Sequence, residues 1–467
     1  MTGEIAKRAI EEKQAFFDAL AYSVWEHPET AFNEVHAMNA TADAAEALGF
    51  TVERQAYGMP TCVTARWGSG HPVIGFLGEL DALPELSQIV STQKQEAVPG
   101  GDGHGCGHNL LCTATLAGAY GFKEELKARG LSGTVVWYGC PAEEVLTGKG
   151  FMARAGAFRE LDLAFSWHGS GVNNVPCGTD TGMYSVKFRF KGLASHAGAA
   201  PDRGRSALDA VELMNVGANY LREHIPADVR MHYIVTDGGK APNTVPDNAG
   251  SWYYIRARSL DTVQAVYERL VRVAEGAARM TDTELEVEFM GGCHETLPNM
   301  VVAELLHQAL KDSEPPVWTQ EELDFADALN RQSPSYDEMM AAGRLDSPIA
   351  LGVLPLRGFN GYGSTDVAEV MHIVPCAEVN TATNNRCANG HSWQITACAG
   401  CSIGFKGMLY GARALSLAAL RAAEDGTIVQ KAQEEFREAT GGRPYVCPIP
   451  DSIPVPRPKQ KKEENHE

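Results

Sequence analysis

The sequence predicts an α/β fold in two units, a sheet domain covered by helices and a smaller β-α-β-β-α-β insertion. Three observations carry this. Short, wholly apolar runs alternate with Gly-rich turns and helical stretches over 51–167, the pattern of strands buried on both faces. Strand, helix, strand, strand, helix and strand patterns follow over 182–294, the order of a split ferredoxin-like unit. Mixed α/β patterning then resumes and runs to about 446. The expected division is 1–181 and 297–446 for the larger domain, 182–296 for the insertion, and 447–467 for a Pro-rich, charged tail, expected to be a surface arm or disordered.

Element by element, Ile5, Ile10, Phe16, Phe17, Leu20 and Trp25 recur near helical spacing, so one long helix is expected over 4–26. A second helix is expected over 37–49. Strands are read at 72–77, 134–139 and 161–166, with a helix at 109–129 between the first two. In the insertion, strands fall at 183–190, 230–236, 251–258 and 284–290, and helices at 205–223 and 260–280. Helices follow near 299–311 and 402–424. The segment 313–348 gives no readable pattern.

Composition bounds the function. The 467 residues are 44% hydrophobic and 21% charged, as in a globular protein. A net charge of −19 argues against nucleic acid or an anionic membrane as partner. It leaves room for an anionic small substrate held by a local Arg cluster. Eleven scattered cysteines do not form the dense, even framework of a secreted domain. No apolar run reaches membrane-spanning length, and no signal-peptide core follows the N-terminus, so a cytoplasmic protein is expected.

Polar residues follow the apolar strands repeatedly. Glu79 and Asp81 come after 73–77, Glu143 and Glu144 after 135–139, and His168 after 163–167. Ligands of open α/β sheets sit beyond such strand ends. A single carboxylate there is more often a cap or a surface charge; three sites in one half of a chain favour convergence. The strongest local signal is Gly101-Asp102-Gly103-His104-Gly105-Cys106-Gly107-His108-Asn109. It sets two imidazoles and a thiol among glycines just before a helix, and Cys and neutral His suit Zn and similar divalent metals. The pair Glu143-Glu144 allows one carboxylate to bind a metal while the other faces a water. A competing cluster, Cys387, His391, Cys398 and Cys401, has the composition of a separate structural zinc site or, at Cys398 and Cys401, a redox pair.

With these residues, the chain resembles the aminoacylase and metallo-carboxypeptidase family of dinuclear hydrolases. Within it, the resemblance is to the amidohydrolase branch that includes hydrolases of auxin conjugates and of p-aminobenzoyl-glutamate. The carriers are the stretch from His27-Pro28-Glu29 to Glu34, Gly78-Glu79-Leu80-Asp81-Ala82-Leu83-Pro84, Cys106-Gly107-His108, Pro141-Ala142-Glu143-Glu144, Ser195-His196, Pro242-Asn243 and Gly363-Ser364-Thr365-Asp366. Residues 204–215 and 390–395 are close to the p-aminobenzoyl-glutamate subgroup. Departures are Glu79, Asn109 and Thr365, where the branch usually has Asp, Asp and Glu.

The resemblance implies a zinc-peptidase-like catalytic domain with a central mixed sheet, the insertion serving as dimerisation or lid domain. It implies two divalent ions per protomer, Zn or Mn, held by Cys106, His108, Glu144, His168 and His391. Glu143 would be the general base and His196 an oxyanion donor, reaching into a neighbouring protomer's site; Asp81 belongs to the same catalytic set. Asn243 and Arg256 would hold the substrate's carboxylate. The implied reaction is cleavage of an N-acyl or N-aroyl amino acid, p-aminobenzoyl-glutamate to p-aminobenzoate and glutamate first among them. Another conjugate, a dipeptide, or a non-catalytic, metal-binding role within a hetero-oligomer are the alternatives. A homodimer and a heterodimer both fit, and His104 is either a partner of the ligands or unliganded.

Overall fold

In the computed structural model, which describes residues 3–458, ten strands form two sheets. The larger sheet contains β1 (Thr51–Arg54), β2 (Val63–Ser69), β3 (Val73–Glu79), β4 (Gly133–Cys140), β5 (Leu163–Ser170) and, late in the chain, β10 (Cys376–Ala382). Its order is β1-β2-β4-β3-β5-β10. The pairs β1/β2 and β2/β4 are antiparallel, and β4, β3, β5 and β10 run parallel. The central mixed sheet is therefore as expected.

Alternate residues explain the continuous apolar runs. Ile74, Phe76, Val135, Trp137, Phe165 and Trp167 pack into one core against the helices His108–Arg129 and Ser402–Glu424. Val73, Leu77, Val136, Tyr138 and Ala164 pack into a second core on the opposite face, with Phe151, Met152, Val370 and Ile449. A strand buried on both sides has no polar face to show. The four parallel strands thus present their C-terminal ends, at Glu79, Cys140, Ser170 and Ala382, on one edge.

The insertion contains β6 (Gly182–Lys191), β7 (Arg230–Asp237), β8 (Asn248–Ala257) and β9 (Glu284–Cys293), with helices Ala207–Leu221 and Leu260–Thr281 on one face. All pairs are antiparallel, in the order β7-β8-β6-β9. Ser206 and Ser259 cap the two helices through backbone N–H groups three residues on.

Some elements depart from the sequence pattern. The expected helix over 4–26 breaks at Lys13 into Glu4–Glu12 and Gln14–Glu26. Between buried Ile10 and Phe17 lies the polar run Glu11-Glu12-Lys13-Gln14, and the break lets each half dock its own apolar face. The segment 313–348 holds helices Gln320–Asn330 and Tyr336–Ala341; a capping box of Thr319 and Glu322 starts the first. Tail residues up to 458 form a surface arm. Ile449 is buried in the second core, and Arg154 donates to the carbonyls of Pro450 and Ile453 at 2.7 and 2.9 Å. The remainder, 459–467, lies outside the described residues.

Helix Ser402–Glu424 crosses β5 at Gly411, where a Cβ would stand 1.9 Å from Trp167 Nε1. That indole donates to Thr381 Oγ1 at 2.9 Å and sits beside His168 in the chain. Gly411→Ala is expected to lower unfolding stability by about 1–3 kcal/mol through overpacking, read from the midpoint of urea denaturation.

Candidate metal centre at the parallel strand ends

The loop after β3 carries Asp81, the segment before helix His108–Arg129 carries Cys106, and His108 is that helix's first residue. The loop after β4 carries Glu143 and Glu144, and the end of β5 carries His168. All converge. Cys106 Sγ lies 3.2 Å from His168 Nε2. His108 Nε2 lies 3.2 Å from Glu79 Oε2, 3.8 Å from Glu144 Oε1 and 3.9 Å from Glu143 Oε2. His391 Nε2 lies 3.4 Å from Glu144 Oε2. Among the described residues three donor sets suit a metal ion: Cys106, His108 and His168; Cys106, Glu144 and His391; and Glu79, His108 and Glu143.

Backbone and buried carboxylates fix these side chains. Asp81, fully buried, accepts the N–H of Glu143 at 3.1 Å and of Glu144 at 2.9 Å. Glu34, also fully buried, accepts the N–H of Ala142 at 2.9 Å and the hydroxyl of Thr61 at 2.8 Å. These bonds hold a turn in which Ala142 has φ 59°, a conformation a non-Gly residue adopts only when its surroundings impose it. Gly148 closes the same turn; a Cβ there would meet the Pro141 carbonyl at 1.6 Å. His108 Nδ1 donates to the Asp81 carbonyl at 2.9 Å, which leaves Nε2 as the lone-pair nitrogen when the ring is neutral.

The electrostatics ask for cations. Burial, then repulsion from Glu79, Asp366 and Glu144, pushes Glu143 well above the ordinary carboxylate range. Glu144 is pushed up to about 7, chiefly by burial, and Glu34 to about 8 by burial and Asp81. Burial also lowers His168 and His391, with His108 adding to it, which favours the neutral, metal-ligating imidazole. The Cys106 thiol is pushed up to about 12 by burial, a cost that coordination removes. His108 Nε2 and Glu144 Oε1 are buried without a hydrogen-bond partner. Orphaned donor atoms of this type among several carboxylates fit divalent ions.

Other sequence-selected residues fall elsewhere. His104 is buried but faces away, with Nε2 3.1 Å from the Val24 carbonyl. Asn109 ties the helix start to the carbonyls of Ala21 and Ala399, at 3.1 and 3.0 Å. The Cys387, His391, Cys398 and Cys401 cluster does not form. Cys387 packs on Met339, the Cys401 thiol donates to the Cys398 carbonyl, and His391 turns to Glu144. Short sequence spacing did not keep Cys387 and His391 with the Cys398/Cys401 pair.

His196 and Asn243 are both exposed and lie together on the insertion, joined by the bridge His196↔Thr244. They sit beyond the Lys191/Asn248 end of the sheet. The opposite end, at Gly291, meets Thr147 beside the Glu143-Glu144 turn. The ten residues of β6 separate these ends by about 30 Å. Within one chain, then, His196 and Asn243 do not join the cluster. His196 Nδ1 accepts the N–H groups of Gly198 and Ala199 at 3.2 and 3.0 Å, so Nε2 carries the proton and faces outward. Arg256 pairs in register with Met183, at the near end. Its guanidinium donates to Ser364 Oγ at 2.7 Å.

Sequence reasoning missed one part of the centre. Lys149, fully buried, donates to Glu79 Oε1 and Asp366 Oδ1, both at 2.6 Å. Glu79 was visible as a strand-end carboxylate, Asp366 only as a letter of a motif, and Lys149 not at all. Its signal was an ammonium between two glycines, five residues after Glu144.

A mixed parallel sheet bearing a dense Cys/His/carboxylate cluster at its strand ends, with an inserted ferredoxin-like domain, defines a two-domain hydrolase class. Residues 180–281 match the model of a peptidase dimerisation domain. Over 465 residues the chain is 38% identical to one of the two component chains of the p-aminobenzoyl-glutamate hydrolase of Escherichia coli (strain K12), covering 95% of this chain and 97% of the relative. Over 243 residues it is 30% identical to the other component chain of that hydrolase from the same organism, covering 50% of this chain and 55% of the relative. A solved structure of a dinuclear metal-binding peptidase of the M20 family from Bacillus subtilis superposes with a TM-score of 0.56 at 19% identity, over 89% of this chain and 99% of that one. The chain belongs to the M20 peptidase family and is an amidohydrolase.

Metal-free protein prepared with a chelator is expected to gain thermal stability on addition of Zn or Mn. An ion present at a hundred times its dissociation constant adds about 2.7 kcal/mol. Calorimetric unfolding with and without the ion measures it.

Proposed function

We propose that this protein hydrolyses the amide bond of N-acyl or N-aroyl amino acids, and that p-aminobenzoyl-glutamate, cleaved to p-aminobenzoate and glutamate, is its substrate. The carrying observation is the convergence of Cys106, His108, Glu144, His168 and His391 around orphaned donor atoms, with Glu143 beside them. The likeness over 95% of the chain to a component of a hydrolase named for that substrate supports it.

In this reading those five residues hold two divalent ions, Zn or Mn, with Cys106 common to both donor sets. When bound, such ions polarise the scissile carbonyl and lower the pKa of a water. The chain's own residues do the rest. Glu143 takes the water's proton and hands it to the leaving nitrogen, and its raised proton affinity suits that double role. Asp81 holds Glu143 and Glu144 in place through their N–H groups. His196 donates from Nε2 to the developing oxyanion, where a fixed donor contributes most, and Asn243 and Arg256 hold the free carboxylate.

The separation of His196 and Asn243 from their own cluster favours a dimer in which they serve the partner's site. The insertion carries a surface suited to one: Leu213, Val216 and Tyr220 on its first helix and Ile234 and Val235 on edge strand β7 are exposed. The partner is a second copy or a different chain of the same family, given the likeness to both components of one hydrolase. No helix among the described residues is long and apolar enough to cross a membrane. Eleven unpaired cysteines support a reducing, cytoplasmic setting.

The test is hydrolysis of p-aminobenzoyl-glutamate, N-acetyl and indole-acetyl amino acids and dipeptides, with Zn or Mn supplied and the freed amine detected. Cleavage of p-aminobenzoyl-glutamate, lost with a chelator, is expected; silence towards every substrate by protein with two ions bound would reject the reading. Glu143→Ala is expected to keep its metal and to lose about 10²–10⁴-fold in kcat. Loss of metal from that variant would reverse the roles of the two glutamates. Mixing inactive Glu143→Ala and His196→Ala proteins is expected to restore part of the activity, measured after the protomers have exchanged.

A further inference from the structure

Lys149 is a fully buried ammonium beside the cluster, and the catalytic scheme above does not use it. It stands between two glycines at the start of helix Gly148–Arg154. Its Nζ is 2.6 Å from Glu79 Oε1 and 2.6 Å from Asp366 Oδ1, and its own N–H donates to Asp366 Oδ2 at 2.8 Å. Both carboxylates are at most 2% exposed. Glu79 therefore offers Oε1 to Lys149, and its other oxygen, Oε2, points at His108 Nε2 from 3.2 Å. In the neutral, metal-ligating ring that nitrogen bears the lone pair, because Nδ1 is committed to the Asp81 carbonyl. A carboxylate oxygen and an imidazole lone pair at 3.2 Å repel each other unless a cation or proton lies between them.

We propose that Lys149 is a positioning residue for the metal pair: by occupying Glu79 Oε1 it aims Glu79 Oε2 at the ion held by His108. This rests on the metallohydrolase reading above, and it adds Glu79 to that ion's surroundings. Three features of the chain fit together in it. Glu at position 79 has the extra methylene that spans from the end of β3 to His108 while still reaching Lys149. Asp366 takes the ammonium's second bond and, through its other oxygen, the backbone N–H of Lys149. Both neighbours of Lys149 are glycines: a Cβ at 148 would meet the Pro141 carbonyl at 1.6 Å, and one at 150 would meet Ile449 Cδ1 at 2.9 Å. The helix start is thereby wedged against the Glu143-Glu144 turn, with Lys149 directed inward.

The test uses the full chain, stripped with a chelator and titrated separately with Zn and with Mn. Binding stoichiometry and affinity are read by calorimetry, unfolding is read with and without metal, and kcat and KM are measured for p-aminobenzoyl-glutamate. Glu79→Gln keeps the shape and leaves Lys149 an acceptor oxygen. Lys149→Met removes the ammonium at similar volume. Each is expected to weaken one of the two ions about ten- to hundredfold, as loss of an outer-shell partner does, and to lower kcat more than it raises KM. The double variant is expected to lose no more than the worse single one, because Lys149 acts through Glu79.

Wild-type affinity for both ions in folded Lys149→Met and Glu79→Gln would overturn the inference and leave the hydrolase reading standing. Equal loss of stability with and without metal at unchanged affinity, a purely structural outcome, would also overturn it. If Lys149→Met fails to fold because two buried carboxylates lose their cation, Glu79→Gln and the double variant decide by the same criteria. A wild-type protein that binds two ions but cleaves no conjugate would sink the hydrolase reading alone. One that binds no ion would sink both.

Discussion

Too many carboxylates share one dry space at the end of a parallel sheet, and the rest of the site follows from that. Glu79, Asp81, Glu143 and Asp366 are each fully or almost fully buried, and Glu144 nearly so. Desolvating a charged group costs several kcal/mol even after relaxation. A fold that gathers five such groups must neutralise them, with protons or with positive charge. The chain supplies one ammonium, Lys149, and leaves His108 Nε2 and Glu144 Oε1 without partners. The packing as well as the donor types thus suits divalent cations.

The sheet topology explains how these groups come together. Four parallel strands end along one edge, and the last residues of each strand and the loop after it lie at that edge. Loops leaving β3 and β4 and the last residues of β5 then need only short turns to converge. The turn at Ala142 is held in an unfavourable backbone conformation by Glu34, a residue more than a hundred positions earlier. Asp81 fastens the next two residues. The geometry of the Glu143-Glu144 turn is set by the buried carboxylates of Glu34 and Asp81.

The insertion obeys a different logic. Its sheet begins beside the Glu143-Glu144 turn and carries His196 and Asn243 to the opposite end. A four-stranded sheet with helices on one face keeps those two residues rigidly apart from their own cluster. The apolar side chains exposed on the first inserted helix and on β7 lie on the same domain.

Much of this was legible in the sequence. Apolar runs of five or six residues placed β3, β4 and β5, because burial on both faces removes alternation. The insertion's strand and helix order was readable because its half-exposed elements do alternate. Cys106, His108, Glu144 and His168 were legible because their types have few uses in such company at strand ends. The break at Lys13, the helix at Gln320–Asn330 and strand β10 were not, since tertiary packing outweighed weak local preference in each. Sequence spacing brought Cys387, His391, Cys398 and Cys401 close along the chain, and packing took Cys387 to Met339 and His391 to Glu144. What the sequence by itself determined was the inventory of chemistry and the alternation of elements, both set by residue type and local period. What only the tertiary structure decided was which groups share a dielectric environment. Lys149 between Glu79 and Asp366 joins positions 70 and 217 residues away, and only the packed fold closes those distances.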